Sequence, residues 1–383
     1  MTALGMPQRR FASIHVVGTN GKSSTVRFIA GILERHGIRT GSYTSPHLAS
    51  FTERVEIGEQ PVSGADFAAA VARAAHAAEL VNRTQEEGDT VTQFEALTAA
   101  AYHELARRGV EVAVIEAGLG GRYDATNVIP SKVQVLTGVG LEHTRWLGPT
   151  IKDIAEEKLA VVRDQGVLVS GELDPDAEAV AERVATERHA RRVHAAPSDD
   201  YELAAHGSFQ RANFALARAA AEAFVGEFDE DAVRRAAAEV RVPGRMQVVG
   251  NSPLTVLDGA HNPAGAEAVA QALPELVGER KVVGVLGVLD DKDAASMLRA
   301  LLPRLDRAVF THSSNPRSLS PATLESLSSK LGGPPCETVA DPRRAVARAQ
   351  ELAGSDGAVI VTGSIYLIAD LVRIERAARA STL

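Results

Sequence analysis

The segment His15-Val-Val-Gly-Thr-Asn-Gly-Lys-Ser-Ser-Thr25 restricts the possible folds of this chain more than any other. An apolar run, Ser13–Val17, leads into it, and a helical stretch over Lys22–His36 leaves it. A glycine-rich turn between a strand and a helix points backbone N–H groups at phosphate oxygens, and the helix N-terminus adds its positive dipole. Thr19, Asn20 and Gly21 form that cradle, with Gly18 and Gly21 letting the backbone wrap closely. Lys22 would reach the terminal phosphates, and Ser23 or Ser24 offers a hydroxyl to Mg²⁺. The bland alternative is a strand–turn–helix capped by serines. Strand, loop, lysine and helix together favour a bound nucleotide. The loop departs from the general G-x-x-x-x-G-K-[ST] form, because Val16 stands five residues before Gly21.

The rest of the chain repeats the strand–helix alternation. Arg39–Tyr43, Val112–Ala117 and Val133–Thr137 read as strands; Ala65–Glu87, Val91–Arg108, Lys152–Arg163, Pro175–Arg188, Gln210–Phe224 and Glu230–Val240 read as helices. Val242-Pro243-Gly244 breaks the pattern, and a second series follows at Leu254–Leu257, Lys281–Leu289, Ala308–His312 and Ala358–Thr362, each with a helix after it. This predicts α/β architecture with parallel sheets in two domains, 1–241 and 242–383. The length, 383 residues at about 150 per domain, agrees.

Composition excludes several classes. Hydrophobic residues at 45% and charged residues at 23% describe an ordinary globular chain, not a disordered or fibrous one. With 41 Lys+Arg against 49 Asp+Glu the formal charge is −8, and no basic block occurs, which disfavours a nucleic-acid partner. The single cysteine, Cys336, excludes an internal disulfide or a Cys-based metal site. No run of 18 apolar residues occurs, and MTALGMPQRRF lacks a signal core, so a cytoplasmic protein without a membrane partner is expected.

Further motifs narrow the reading: TSPHLASFTERV (44–55), EAGLGGRYDATN (116–127), GLEHTRWLGPTIKDIAEEK (140–158), PGRMQ (243–247), DGAHNPAG (258–265), GVLDDKD (287–293) and TGSIYL (362–367). Together with GTNGKSS they resemble the folylpolyglutamate synthase / dihydrofolate synthase family of the Mur ligase superfamily, over roughly Leu4 to Val372. The resemblance implies a P-loop Mur-ligase-type ATPase domain with a parallel sheet, followed by a smaller Rossmann-like α/β domain. It implies ATP-dependent attachment of L-glutamate to a folate or dihydropteroate carboxylate through an acyl phosphate.

Carried over from that family, Ser45, Glu116 and His143 would hold magnesium, with two ions expected. Lys158 matches the family lysine that carries CO₂ as a carbamate, although EKLAVV stands where the family usually reads EKAGI. Asn213, Arg245 and Asp258 would contact ATP, and His261 would lie near the reacting phosphate, so Lys22, Lys158 and His261 are the catalytic candidates. Thr92, Gln93, Phe94, Asp124 and Ala125 would line the pterin pocket. On chemistry alone, His143 could be a loop cap, Lys158 a surface lysine, Asn213 a helix-packing residue, Arg245 a solvated hinge charge and Phe94 a core aromatic.

Only 17 residues precede Gly18, which leaves no room for the UDP-binding domain of peptidoglycan Mur ligases. The family's earlier GL-x-R segment is also missing, and 189–208 is short. Two alternatives therefore stay open: a Mur-type ligase with another acid acceptor, and a catalytically silent nucleotide binder. Retention of Lys22, Glu116, His143, Lys158 and His261 argues against the second. A monomer is expected.

Overall fold

The computed structural model describes residues 1–86 and 88–373. The chain forms two compact units: Met1–Ser45 with Phe51–Ala204 and Arg211–Val240, and Pro46–Ser50 with Ala205–Gln210 and Arg241 onward.

The first unit is built on eight strands: β1 (Ala12–Val17), β2 (Thr40–Tyr43), β3 (Val55–Ile57), β4 (Gln60–Pro61), β5 (Val112–Glu116), β6 (Val133–Leu136), β7 (Val167–Ser170) and β8 (Arg191–His194). Their order is β4-β3-β2-β5-β1-β6-β7-β8. From β2 to β8 every neighbouring pair is parallel; β3 and β4 run antiparallel. The apolar run Val112–Ile115 in β5 suits a strand covered on both faces, and all five residues of β5 are buried, as are the last five of β1, Ser13 and His15 among them. The helices are α1 (Lys22–Arg35), α2 (Gly64–Asn82), α3 (Gln93–Arg107), α4 (Thr144–Leu147), α5 (Ile151–Leu159), α6 (Pro175–Glu187), α7 (Phe209–Val225) and α8 (Glu230–Glu239). One apolar cluster joins Tyr43, Tyr102, Leu105 and Ile115; another joins Leu136, Ala155, Leu159, Leu168 and Val180. Because β1 lies between β5 and β6, the loops after these three strands leave one end of the sheet side by side, where α/β sheets present ligands.

Several expectations change. The hairpin β3–β4 lies in a stretch with no assigned structure; its turn, Gly58-Glu59, takes positive φ at both residues (57° and 63°). The helix expected over Lys152–Arg163 ends at Leu159, where Val162 N turns back to Leu159 O. The helix expected to reach Glu87 ends at Asn82, and Glu87 itself lies outside the described residues. Strands β7 and β8 were also not anticipated.

The second unit holds β9 (Gln247–Asn251), β10 (Leu254–Leu257), β11 (Val282–Leu286), β12 (Arg307–Phe310), β13 (Cys336–Thr338) and β14 (Ala358–Thr362), in the order β13-β12-β11-β14-β10-β9. Only β9 is antiparallel. Helices α9 (Pro263–Val277), α10 (Ala294–Leu301), α11 (Pro321–Lys330), α12 (Pro342–Ala353) and α13 (Ile365–Val372) complete it. β11 and β14 are wholly buried and parallel, as their Val/Ile runs dictate. Among the described residues no helix is long and apolar enough to cross a membrane.

Candidate active site

The loop between β1 and α1 is shaped by its neighbours before any ligand is considered. Gly18 has φ +149°, and a Cβ there would lie 1.9 Å from Thr137 Oγ1. Gly21 has φ +84°, and its Cβ would lie 2.3 Å from Asn213 Oδ1. Only glycine fits either place. Thr137 Oγ1 donates to Asn20 O at 2.5 Å, and Thr19 Oγ1 accepts the Gly140 amide at 3.0 Å. The loop after β6 therefore holds the cradle from one side, and Asn213, from α7, from another. Lys22 Nζ donates to Gly18 O at 2.9 Å and Thr19 O at 3.2 Å, so the ammonium sits over the loop. Ser24 is buried, and Ser23 is the serine that reaches outward from the first turn of α1.

Glu116 ends β5 in near-complete burial. Its Oε1 accepts Ser23 Oγ at 3.0 Å and its Oε2 accepts the Ser45 amide at 3.2 Å. One carboxylate thus meets the first turn of α1 and the start of the loop after β2. His143 stands exposed before α4, in left-handed backbone (φ 47°). Among the described residues no group of three or more His, Cys, Asp or Glu forms a metal cage. The donors brought together here are instead the buried Glu116 carboxylate and the Ser23 hydroxyl, with Ser45 held beside them through its backbone amide. Hard oxygen donors in small number suit Mg²⁺, which keeps several waters and shares phosphate oxygens.

Lys158, on α5, is 1% exposed, so it is no surface lysine. Its Nζ donates to Gly18 O at 2.9 Å and to Glu142 Oε1 at 2.8 Å. Burial lowers its pKa; Glu142 opposes that and Lys22 adds to it, leaving it at about 8. Burial works against ionisation of Glu142, but Lys22 and Lys158 prevail and hold its pKa at about 2. Lys158, paired with Glu142, therefore touches the loop at Gly18 O. Sequence reasoning missed Glu142; its place beside His143 in GLEH was the available signal.

Phe94, Asp124 and Gly118 meet. A Cβ on Gly118 would lie 2.5 Å from Phe94 Cζ and 3.1 Å from Asp124 Oδ2. The Phe94 ring lies 6.3 Å from that of buried Tyr43. Ala125 opens the turn Ala125–Val128 that Asp124 caps. Thr92 and Gln93 are exposed, and Thr92 is the N-cap of α3: its Oγ1 accepts Glu95 N at 3.3 Å while Glu95 Oε2 accepts Thr92 N at 2.7 Å.

In the second unit the PGRMQ turn and the DGAHNPAG segment converge. Asp258 is buried, with Oδ2 accepting Met246 N at 2.9 Å and Oδ1 accepting Ala260 N at 2.7 Å. Burial pushes its carboxyl up, and the Arg245 guanidinium pulls the other way. A Cβ on Gly259 would lie 2.5 Å from Arg245 Nη1. His261 Nδ1 lies 3.0 Å from Gly259 O, and Asn262 caps α9 through Gly265 N at 2.8 Å.

A phosphate-cradling loop on a parallel sheet, joined in one chain to a second Rossmann-like unit, is the organisation of the Mur ligase class. Residues 244–365 match the Mur ligase, glutamate ligase domain family. The dihydrofolate synthase/folylpolyglutamate synthase of Mycobacterium tuberculosis is 37% identical over 87% of this chain and 77% of its own length. A crystal structure of M. tuberculosis folylpolyglutamate synthase complexed with ADP and AMPPCP superposes with TM-score 0.92 at 34% identity, covering 97% of this chain and 92% of that one. E. coli FolC in complex with DHPP and ADP gives TM-score 0.84 at 29% identity, over 97% and 92%. The chain belongs to the dihydrofolate synthase/folylpolyglutamate synthase family of ATP-dependent ligases.

Proposed function

We propose that this enzyme uses ATP to join L-glutamate to a folate carboxylate and also to dihydropteroate, as a cytoplasmic monomer. The observation that carries the reading is the convergence of Lys22, Ser23, Glu116 and Lys158 on one preformed loop, in a chain of this family.

A carboxylate attacking a triphosphate meets like charge on both sides, so neutralisation must come first. In the proposed reaction the acid's oxygen bonds to the γ-phosphorus and ADP leaves. The glutamate amine then bonds to the acyl carbon, loses a proton and expels phosphate. Lys22 sits over the cradle to neutralise terminal phosphate charge. The Thr19–Lys22 amides orient the nucleotide, and Thr137 and Asn213 hold that geometry. Arg245 and Asp258, in the second unit, are proposed as nucleotide-binding residues, and His261 as a residue of the phosphate chemistry. Glu116, Ser23 and Ser45 would hold one Mg²⁺, and His143 with the carbamate on Lys158 is proposed for a second. Bound there, Mg²⁺ would screen phosphate charge.

Carbamylation requires the free amine of Lys158 to add to CO₂, forming an N–C bond and releasing one proton. A buried lysine with a pKa of about 8 offers more free amine near neutrality than an ordinary one. Phe94 and Asp124, with Thr92, Gln93 and Ala125 at the edge, are proposed to receive the pterin, through stacking and hydrogen bonding.

The test is a substrate screen with the full chain. ADP release should require both a pteroate-type acid and L-glutamate, and the product should gain one glutamate mass. Release driven by a different acid would replace this reading with another Mur-type ligase.

A further inference from the structure

His15 and Thr126 lie in none of the roles assigned above, yet both are completely buried, and they meet: His15 Nε2 lies 2.8 Å from Thr126 Oγ1. His15 stands in β1, the strand that feeds the phosphate cradle. Thr126 stands in the turn after Gly118–Asp124. Thr126 Oγ1 in turn donates to Asp124 Oδ1, and Thr126 N donates to the same oxygen at 3.0 Å.

Proton counting fixes the direction of this chain. A hydroxyl has one hydrogen, and that of Thr126 goes to the carboxylate. The contact with His15 is then a bond only if Nε2 carries hydrogen and donates. The imidazole is neutral, because burial and then the Arg163 charge drive its pKa down to about 3. A neutral ring has one N–H, which the geometry places on Nε2, and the buried Nδ1 has no hydrogen-bond partner. Thr126 is fixed at its carbonyl as well, which accepts Tyr102 Oη at 3.0 Å.

The effect falls on Asp124. Its Oδ1 is occupied by the hydroxyl and amide of Thr126, and its Oδ2 accepts Leu119 N at 2.8 Å. The remaining acceptor capacity lies on Oδ2, on the side of Gly118 and Phe94.

We propose that His15 and Thr126 are positioning residues for the acid substrate: the relay from His15 Nε2 through Thr126 Oγ1 to Asp124 Oδ1 turns Asp124 Oδ2 toward a planar heterocycle bearing N–H donors stacked beside Phe94. This deepens the folate-ligase reading and rests on it. The relay belongs to acid recognition, although it starts in the strand that ends in the ATP cradle. The two binding events can therefore be separated by mutation.

The experiment uses the full chain with dihydropteroate, L-glutamate and ATP, measuring KM for acid and for ATP separately. Thr126→Val keeps shape and removes the hydroxyl. It should raise KM for dihydropteroate about tenfold, the loss of roughly one hydrogen bond to a charged group, and leave KM for ATP within about twofold. Thr126→Ser should restore the acid KM. Should Thr126→Val not fold, His15→Gln and His15→Met ask the same question, because glutamine can supply the N–H donor and methionine cannot. An unchanged acid KM in Thr126→Val, equal loss toward both substrates, or no rescue by serine would overturn the relay while leaving the ligase standing. A wild-type enzyme that turns over no ATP with any pteroate-type acid would overturn the ligase reading, and the relay with it.

Discussion

Lys158 and His15 are both buried titratable groups, and burial acts on them in the same direction with different consequences. For Lys158, the sign of the charge it presents is the question. Lys158→Ala should lose ligation. Added acetate or formate should restore part of it if a carbamate is missing, whereas methylamine would restore it if an ammonium is missing. Turnover with each additive decides between them. For His15, the native pKa of about 3 lies below the ordinary 6.5. Between those values the unfolded chain binds a proton that the folded one refuses. The stability supplied by the neutral ring is complete above pH 6.5 and falls as pH drops toward 3, by about 1.4 kcal/mol per unit once well below 6.5. Urea midpoints at pH 7 and pH 5 should converge more in His15→Gln than in wild type, because that variant has no ring to protonate. Parallel pH dependences in the two proteins would show that His15 titrates normally.

At the scale of elements, the ends of helices decide as much as their faces. Thr92 and Glu95 form a reciprocal cap on α3, as Thr150 and Asp153 do on α5, the helix that carries Lys158. Thr92→Ala should cost about 1 kcal/mol of stability and Thr92→Ser much less. If Thr92→Ala also raises KM for acid more than for ATP, the residue serves the pocket as well as the helix. Both caps are legible as S/T-x-x-D/E, and α1, β5 and β14 were legible from apolar runs and breaker residues. The hairpin β3–β4 was harder to read, because strands of three and two residues give too little alternation, although Gly58-Glu59 marks the turn. Site residues divided along similar lines. Glycines and Lys22 announce themselves, because the loop chemistry is local. Glu142, Thr137 and the His15–Thr126 pair do not, since their meaning arises only when β1, β6 and the loop after β5 come together across more than a hundred residues of chain in the case of His15 and Thr126.

At the scale of the molecule, the chain supplies two units, each with its own sheet and apolar clusters. The short excursion Pro46–Ser50 is counted with the second, where Leu48 packs with Leu257, Val283 and Ile368. Separate cores predict a thermal profile in which a ligand shifts most the transition of the unit that supplies most of its contacts, for the nucleotide the first unit with its loop after β1. AMPPCP at a hundred times its Kd should stabilise the transition of the first unit by about 2.7 kcal/mol. Lys22→Ala should abolish that shift while leaving the unliganded profile in place. Calorimetry with and without nucleotide measures both. A shift that survives Lys22→Ala would place the nucleotide elsewhere.

Three glycines at the candidate site have no room for a side chain: Gly18 against Thr137, Gly21 against Asn213 and Gly118 against Phe94. In evolutionary terms these positions are locked in pairs, because neither partner can change volume unless the other yields. Exposed Tyr123 (88%), in the loop after β5, and Trp146 (70%), on the short helix α4, are under no such constraint. Divergence toward a new acid should therefore pass first through such exposed positions, and a library that randomised the glycines would consist mostly of dead clones.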